Sequence, residues 1–412
     1  MRRATLLFCA ALSLIAVQAA NAGKGPFQYR HVGHIGAAVT PDGIAIDQQC
    51  GDVYIADPGA KVVHHYDQFG KLLNNIGIPD SEARGGLRQP TGIFLANAVV
   101  QPLNPLGSPL PCTGEGLLWV TDYSESRISV FKPDGTLLEI WCGKTTFPAG
   151  VCDLVGDYDY FPHDVWVDDD RVWVAGRFGN SIKEYTLSGA LIRSVGTGAA
   201  YSVAQWGTNL WATHSGNGDE ILALYSADPT AGKEIPLVHV WPWKLDGPTE
   251  DLSSVWTGID GTLYMLDRRG LEVFSPSGQP RSVTKLPDSY RAVDVAVRYD
   301  GMVYIVGEFT KGAEVWSPGA TVTLKKLPGK ADEVVLAGSV VPSHAHDAIV
   351  IQRAEENGWH VLATVRLDAH SKFVYHWKPP RAHVPYRVRL AFHDPHPYHA
   401  DRESAILTVA SR

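Results

Sequence analysis

The sequence predicts an all-β chain: a ring of six four-stranded units, then a small sandwich of two sheets. Three observations carry this expectation. First, an apolar strand with an aromatic centre recurs six times, as VYIAD, LLWVTD, VWVAG, LWATH, LYMLD and VYIVG. Second, another aromatic strand follows at near-constant spacing: Tyr54 to Tyr66, Trp119 to Phe131, Trp173 to Tyr185 and Tyr304 to Trp316 are each twelve residues apart. Third, residues 333–412 lose this repeat and run as short alternating apolar and polar stretches.

The elements follow in chain order. Residues 1–22, MRRATLLFCAALSLIAVQAANA, have the layout of a secretory signal: basic Arg2 and Arg3, an apolar run from Leu6 to Val17, and Ala20-Asn21-Ala22 as a cleavage site. The run is short for a membrane span, so a secreted or periplasmic protein beginning near Gly23 is expected, without a transmembrane segment. Within each repeat a short apolar strand comes first: GIAID, GIFLA, DVWVD, SVAQW, SVWTG and VDVAV. The two aromatic strands come next. Gly70, Gly135, Gly189 and Gly278 then fall four residues past the second aromatic and turn the chain into a fourth strand, as in KLLNNIG, TLLEIWCG and ALIRSVG.

Each unit alternates with period two and has two faces to bury, which a single unit cannot do alone. Six such units arranged radially pack face against face, the architecture of a β-propeller. The segment TPDGIAIDQQCGDVYIADPGAKVVHHYDQFGKLLNNIG resembles the repeat of the NHL family of six-bladed propellers, and RQPTGIFL with LLWVTDYSESRISVFKPDGTLLEIWCG resembles it again. The resemblance implies a propeller over residues 27–328 and leaves its activity open. The N-terminal strand QYRHVGHIG is expected to close the ring beside AEVWSPG, with TVTLKKL as the other candidate. Residues 333–412, with G-W, F-x-Y-x-W-K-P-P and Y-R-V-R, resemble bacterial immunoglobulin-like modules.

Composition narrows the partners. Charged residues are 19% and the net charge is −8, so no basic stripe for nucleic acid exists. Once the leader is set aside, Cys50, Cys112, Cys142 and Cys152 remain, an even count without C-x-x-C spacing. That favours disulfides in an exported protein. Cys142–Cys152 closes a short loop, and Cys50–Cys112 follows by elimination and by their matching places in neighbouring repeats.

The strand ends of one face carry Asp57, Asp122, His214 and Asp267, with Arg177 and Glu308 just beyond. Aspartate at Asp57 and Asp122 is also part of the repeat pattern itself, where it caps a turn. The loop GDYDYFPHD adds Tyr158, Tyr160, His163 and Asp164 on the same face. These ten residues are the expected ligand contacts. FPHDVWVD is similar to the strand openings in which peptidyl-hydroxyglycine amidating lyases hold zinc. QPTGIF, AYSVAQ, LSSVWT and YRAVDV supply no companion histidine for a three-imidazole site. His163, His214 and the cluster His393, His396 and His399 with His344 and His346 are the metal candidates, for zinc or calcium. Asp164, Glu308 and Asn180 match a lactonase-type set in residue type only. The expectation is a monomeric, cofactor-free binding scaffold for a protein or glycan. The alternative is a metal-dependent lyase or lactonase-type enzyme at the channel mouth.

Overall fold

The computed structural model describes residues 29–81, 83–96, 114, 116–143, 151–155, 161–168, 170–216, 219–228, 235–242, 252–258, 260–267, 270–298, 301–318, 321–330, 332–341, 347–355, 358–381, 384–392, 402–404 and 406–410. Among these the chain is all-β, with no helix. The described residues between 30 and 317 form six sheets of four or five strands in the manner of a β-propeller, antiparallel except for the short strand Leu154–Val155, beside a two-stranded parallel sheet of Ile78–Pro79 and Gly86–Leu87. Their first strands are Gly43–Ile46, Pro90–Ala96, Pro162–Val167, Ala200–Trp206, Leu252–Thr257 and Ala292–Val297. Each of these strands packs against the next, and the last returns to the first, so they enclose a common axis. The strands starting at Val53, Leu117, Arg171, Asn209, Leu263 and Val303 lie one step outward, at the positions of the repeated aromatic motif.

The turn glycines behave as the spacing requires. Gly70, Gly135, Gly189 and Gly278 all have positive φ, from 77° to 91°, a conformation that costs glycine no Cβ clash. The N-terminal strand Arg30–Ile35 pairs antiparallel with Ala313–Ser317 and completes the sixth sheet. His31 and His34 reach Glu314 on that strand at 2.6 and 3.0 Å. Thr321–Leu327 pairs instead with Val334–Val341, in a different sheet.

Packing between sheets follows the alternation. Trp141, Trp173, Trp211, Tyr54, Tyr185 and Tyr304 are fully buried between neighbouring sheets. A fully buried side chain of this size stabilises the fold by roughly 1.5–3 kcal/mol through apolar area alone. Residues 334–409 hold a separate core, with Leu336, Ile349, Ile351, Val388, Leu390 and Phe392 buried between two sheets. The Cys142–Cys152 disulfide ties the outer strand of the second sheet to the loop that follows, with Cα atoms 5.9 Å apart. Cys50 is buried, and its expected partner Cys112 lies outside the described residues. No described helix is long and apolar enough to cross a membrane.

Several expected acids bond to the loops beside them. Asp57 is fully buried, and its Oδ1 accepts the backbone N–H groups of Thr40, Gly59 and Ala60 at 2.9–3.0 Å. Its Oδ2 accepts Val39 N at 2.6 Å and lies 3.1 Å from His64 Nε2. Burial alone would raise this carboxyl, but the bonds from His64 and the backbone outweigh it and hold Asp57 below the usual carboxylate range. The same pair raises His64: burial opposes its charge, while the bonds to Asp57 and Asn75 favour it.

The pH consequence has a definite sign. His64, raised in the folded state, contributes stability that is complete below about its ordinary value of 6.5 and lost as pH rises through the raised value. Asp57, depressed, contributes above 3.8, and its share is lost only as pH falls through the lowered value. The stability difference between the protein and His64→Gln, measured by urea unfolding, is therefore expected to be largest from about pH 4 to 6.5 and to shrink toward pH 8. A difference unchanged over that range would contradict the pairing.

Candidate functional site

The site grows from one local irregularity repeated around the ring. In five of the six sheets the first strand carries an extra residue near its start, where pairing to the second strand slips by one. The slips fall at Thr91-Gly92, His163, Tyr201, Ser253 and Val293. A β-bulge re-aims its side chain out of the ladder. Here all five positions line the axial opening, joined by Asp42, which immediately precedes Gly43 in the first sheet.

The opening is a cavity of about 640 Å³. His163, Tyr201, Ser253, Val293 and Asp42 line it from the strand starts, and Arg177, Arg291, Glu308 and Phe309 from loops around them. Gly92, Asp164, Ser202 and Asp294 form its floor, and Gly43 and Ser254 hold the matching strand positions in the other two sheets. The two glycines are required there, since a Cβ on Gly43 would meet Thr91 O and one on Gly92 would meet Asp164 Cα. Below them Phe94, Trp166 and Trp256 close the channel, with ring centroids 4.6–5.8 Å apart.

Asp164 and Asp294 bridge neighbouring sheets. Asp164 Oδ2 accepts Ser202 Oγ at 2.6 Å and Val203 N at 3.1 Å, while Oδ1 accepts Val165 N at 2.8 Å. Asp294 accepts Ile44 N at 2.8 Å on Oδ2 and Ser254 Oγ at 2.5 Å on Oδ1. Burial raises both carboxyls, and for Asp294 the charge of Asp164 adds to the effect. Each thus tends toward its neutral form.

His163 has a defined tautomer. Its Nδ1 lies 2.9 Å from the backbone oxygen of Tyr201, which only accepts, so Nδ1 carries the proton. Nε2 is the other nitrogen of this half-buried ring on the cavity wall, an acceptor when the ring is neutral and a donor when it is charged. Asp42 is close enough to feel the charges of His163, Arg177 and Glu308. Burial raises its carboxyl most strongly, while His163 and Arg177 oppose that rise. An imidazole nitrogen, a carboxyl held toward its neutral form and two guanidinium groups therefore line one open cavity. Such a set can orient a polar ligand and exchange protons with it.

Of the ten expected contacts, His163, Arg177 and Glu308 line the main cavity and Asp164 its floor. Asp57, Asp122 and Asp267 do not. Asp122 is fully buried against Arg127, and Asp267 accepts Gly270 N at 2.6 Å. The turn-capping role that the repeat gives Asp57 and Asp122 consumes their oxygens. His214 is also engaged elsewhere, with Nε2 2.8 Å from Tyr225 Oη and Nδ1 3.3 Å from Ser215 O. Burial lowers its pKa against that backbone bond, which keeps the ring neutral. Asn180 sits in an exposed turn with φ 47°. Tyr158, Tyr160, His344, His346, His393, His396 and His399 lie outside the described residues. Among the described residues no three or more His, Cys, Asp or Glu side chains converge as metal ligands.

Sequence reasoning missed Asp42 as a contact, together with Tyr201, Ser253, Arg291 and Phe309. For Asp42, Tyr201 and Ser253 the signal was present, since the two residues ahead of each apolar triplet, aligned across repeats, ring the axis; Arg291 and Phe309 lie outside that pattern.

No protein-family profile matches the chain, and no curated protein matches it. Solved structures similar to it are propeller-type proteins at low identity. Virginiamycin B lyase from Staphylococcus aureus is 13% identical with a TM-score of 0.43, covering 77% of this chain and 89% of its own. A gluconolactonase from Xanthomonas campestris is 13% identical with a TM-score of 0.48, covering 70% and 88%. A PQQ-bound aldose sugar dehydrogenase from Streptomyces coelicolor is 14% identical with a TM-score of 0.45, covering 70% and 97%.

Proposed function

We propose that this is an exported six-bladed propeller of NHL type with a C-terminal immunoglobulin-like module, and that it binds a small polar ligand in the axial cavity. The observation that carries the reading is that Asp42, His163, Arg177, Arg291 and Glu308 line one open cavity of about 640 Å³. That volume fits a small molecule and is in the range of ordinary ligand sites. The scaffold expectation is thereby narrowed from a macromolecule on the loops to a ligand within the ring. The disulfide and the leader-like N-terminus support export.

A second reading, an enzyme at the same place, is favoured by the orientation of His163: with Nδ1 bonded to Tyr201 O, Nε2 is the nitrogen left to exchange a proton with a bound ligand or water, beside a carboxyl held toward its neutral form.

The test is a thermal-shift screen of polar metabolites and short saccharides against the protein and His163→Ala. A ligand that raises the melting temperature of the protein, with affinity at least about tenfold weaker in His163→Ala, is expected, since a lost buried hydrogen bond costs of that order. Ligands that bind both proteins equally would place the site elsewhere.

A further inference from the structure

We infer that the ligand of the axial cavity is an aromatic carboxylate carrying a hydroxyl or N–H donor, its carboxylate held by Arg177 and its ring packed on Phe309. The inference rests on the cavity being the ligand site and asks what chemistry its walls accept.

Arg177 supplies the anion preference. Its backbone N is fixed by Phe161 O at 3.2 Å, and its guanidinium lies 5.4 Å from the centre of the Tyr201 ring. No carboxylate of the described residues forms an ion pair with it. Arg291 differs, since Glu308 pairs with it at 2.7 Å. Of the two cavity acids, then, Glu308 is matched to Arg291. Asp42, the other acid of the cavity wall, feels the charge of Arg177 but makes no described ion pair with it. A guanidinium stacked on an aromatic face keeps its N–H edge open, and that edge matches the two oxygens of a carboxylate.

Phe309 supplies the flat apolar contact. Its side chain is 61% exposed although it lines the cavity, and Arg291 stands 5.8 Å from its ring centre. An exposed ring at the mouth of a cavity gains by covering its face with a planar group. His163 supplies the third contact. With Nδ1 committed to Tyr201 O, Nε2 of the neutral ring accepts a hydrogen bond and so favours a ligand with an O–H or N–H.

The experiment uses 4-hydroxyphenylacetate as the probe and 4-hydroxyphenylacetamide as its uncharged match, titrated calorimetrically into the protein, Arg177→Gln and Phe309→Ala. Both positions are exposed, so circular dichroism and melting temperature are expected to be unchanged in the variants. In the protein the acid is expected to bind about tenfold or more tighter than the amide, the worth of a charge-assisted hydrogen bond. In Arg177→Gln that preference is expected to vanish, and in Phe309→Ala both probes weaken together. Equal binding of acid and amide, no binding of either, or a preference that survives Arg177→Gln would each overturn the inference. The cavity reading fails differently: it falls if ligands found in the screen ignore His163→Ala, whatever their charge.

Discussion

Replacing Asp122 with alanine is expected to destabilise the protein by about 3–5 kcal/mol, the range for leaving one member of a buried ion pair without its partner. Asp122 and Arg127 are both fully buried. Asp122 Oδ2 accepts Arg127 Nε at 3.1 Å and Nη2 at 2.9 Å, and also Arg88 N at 3.1 Å, while Oδ1 accepts Gln89 N at 2.9 Å. Removing the carboxylate strands a guanidinium whose remaining described bonds are from Nη2 to Gly86 O at 2.6 Å and Ser81 O at 3.2 Å. It also unties the loop that leads into the second sheet. The double change Asp122→Ala with Arg127→Met removes the orphaned charge. Chemical denaturation is expected to find it less destabilised than Asp122→Ala alone. A double variant as unstable as the sum of the two single changes would show that the pair is not coupled.

The second large effect is at Gly92. A methyl group there would lie against Asp164 Cα and 2.5 Å from His163 O, both of the neighbouring sheet. Backbone atoms cannot rotate away, so the two first strands must separate. Gly92→Ala is therefore expected to cost at least the roughly 1–3 kcal/mol typical of overpacking. It should also weaken ligand binding, because the strand that must move carries both His163 and Asp164. Thr121 Oγ1 lies 2.8 Å from Gly92 N and 3.1 Å from His163 O, and would be pulled apart with them. Melting temperature and affinity for a screened ligand check the two consequences. A variant as stable as the parent would mean that the strands do not approach so closely.

The ring was legible because its physics is local and repeated. Period-two alternation, the twelve-residue aromatic spacing and the positive-φ glycines at Gly70, Gly135, Gly189 and Gly278 all act within one unit. The candidate site was only half legible, for two reasons. The aspartates of the repeat looked like contacts, yet Asp57, Asp122 and Asp267 spend their oxygens on backbone donors and Arg127. His163, Tyr201, Ser253 and Val293 line the cavity at register slips, while Arg177, Arg291, Glu308 and Phe309 reach it from loops. His163 was noticed for its motif, but its role comes from Tyr201 O, thirty-eight residues away. Ile44 N on Asp294 bridges two hundred and fifty residues, a contact that only closing the ring creates.

The most direct measurement is a crystal structure of the protein with a ligand recovered from the screen. The ligand is predicted to occupy the axial cavity, with a donor within hydrogen-bond distance of His163 Nε2. A ligand seated on the outer strands or on residues 334–409, with the axial cavity unchanged, would contradict the assignment.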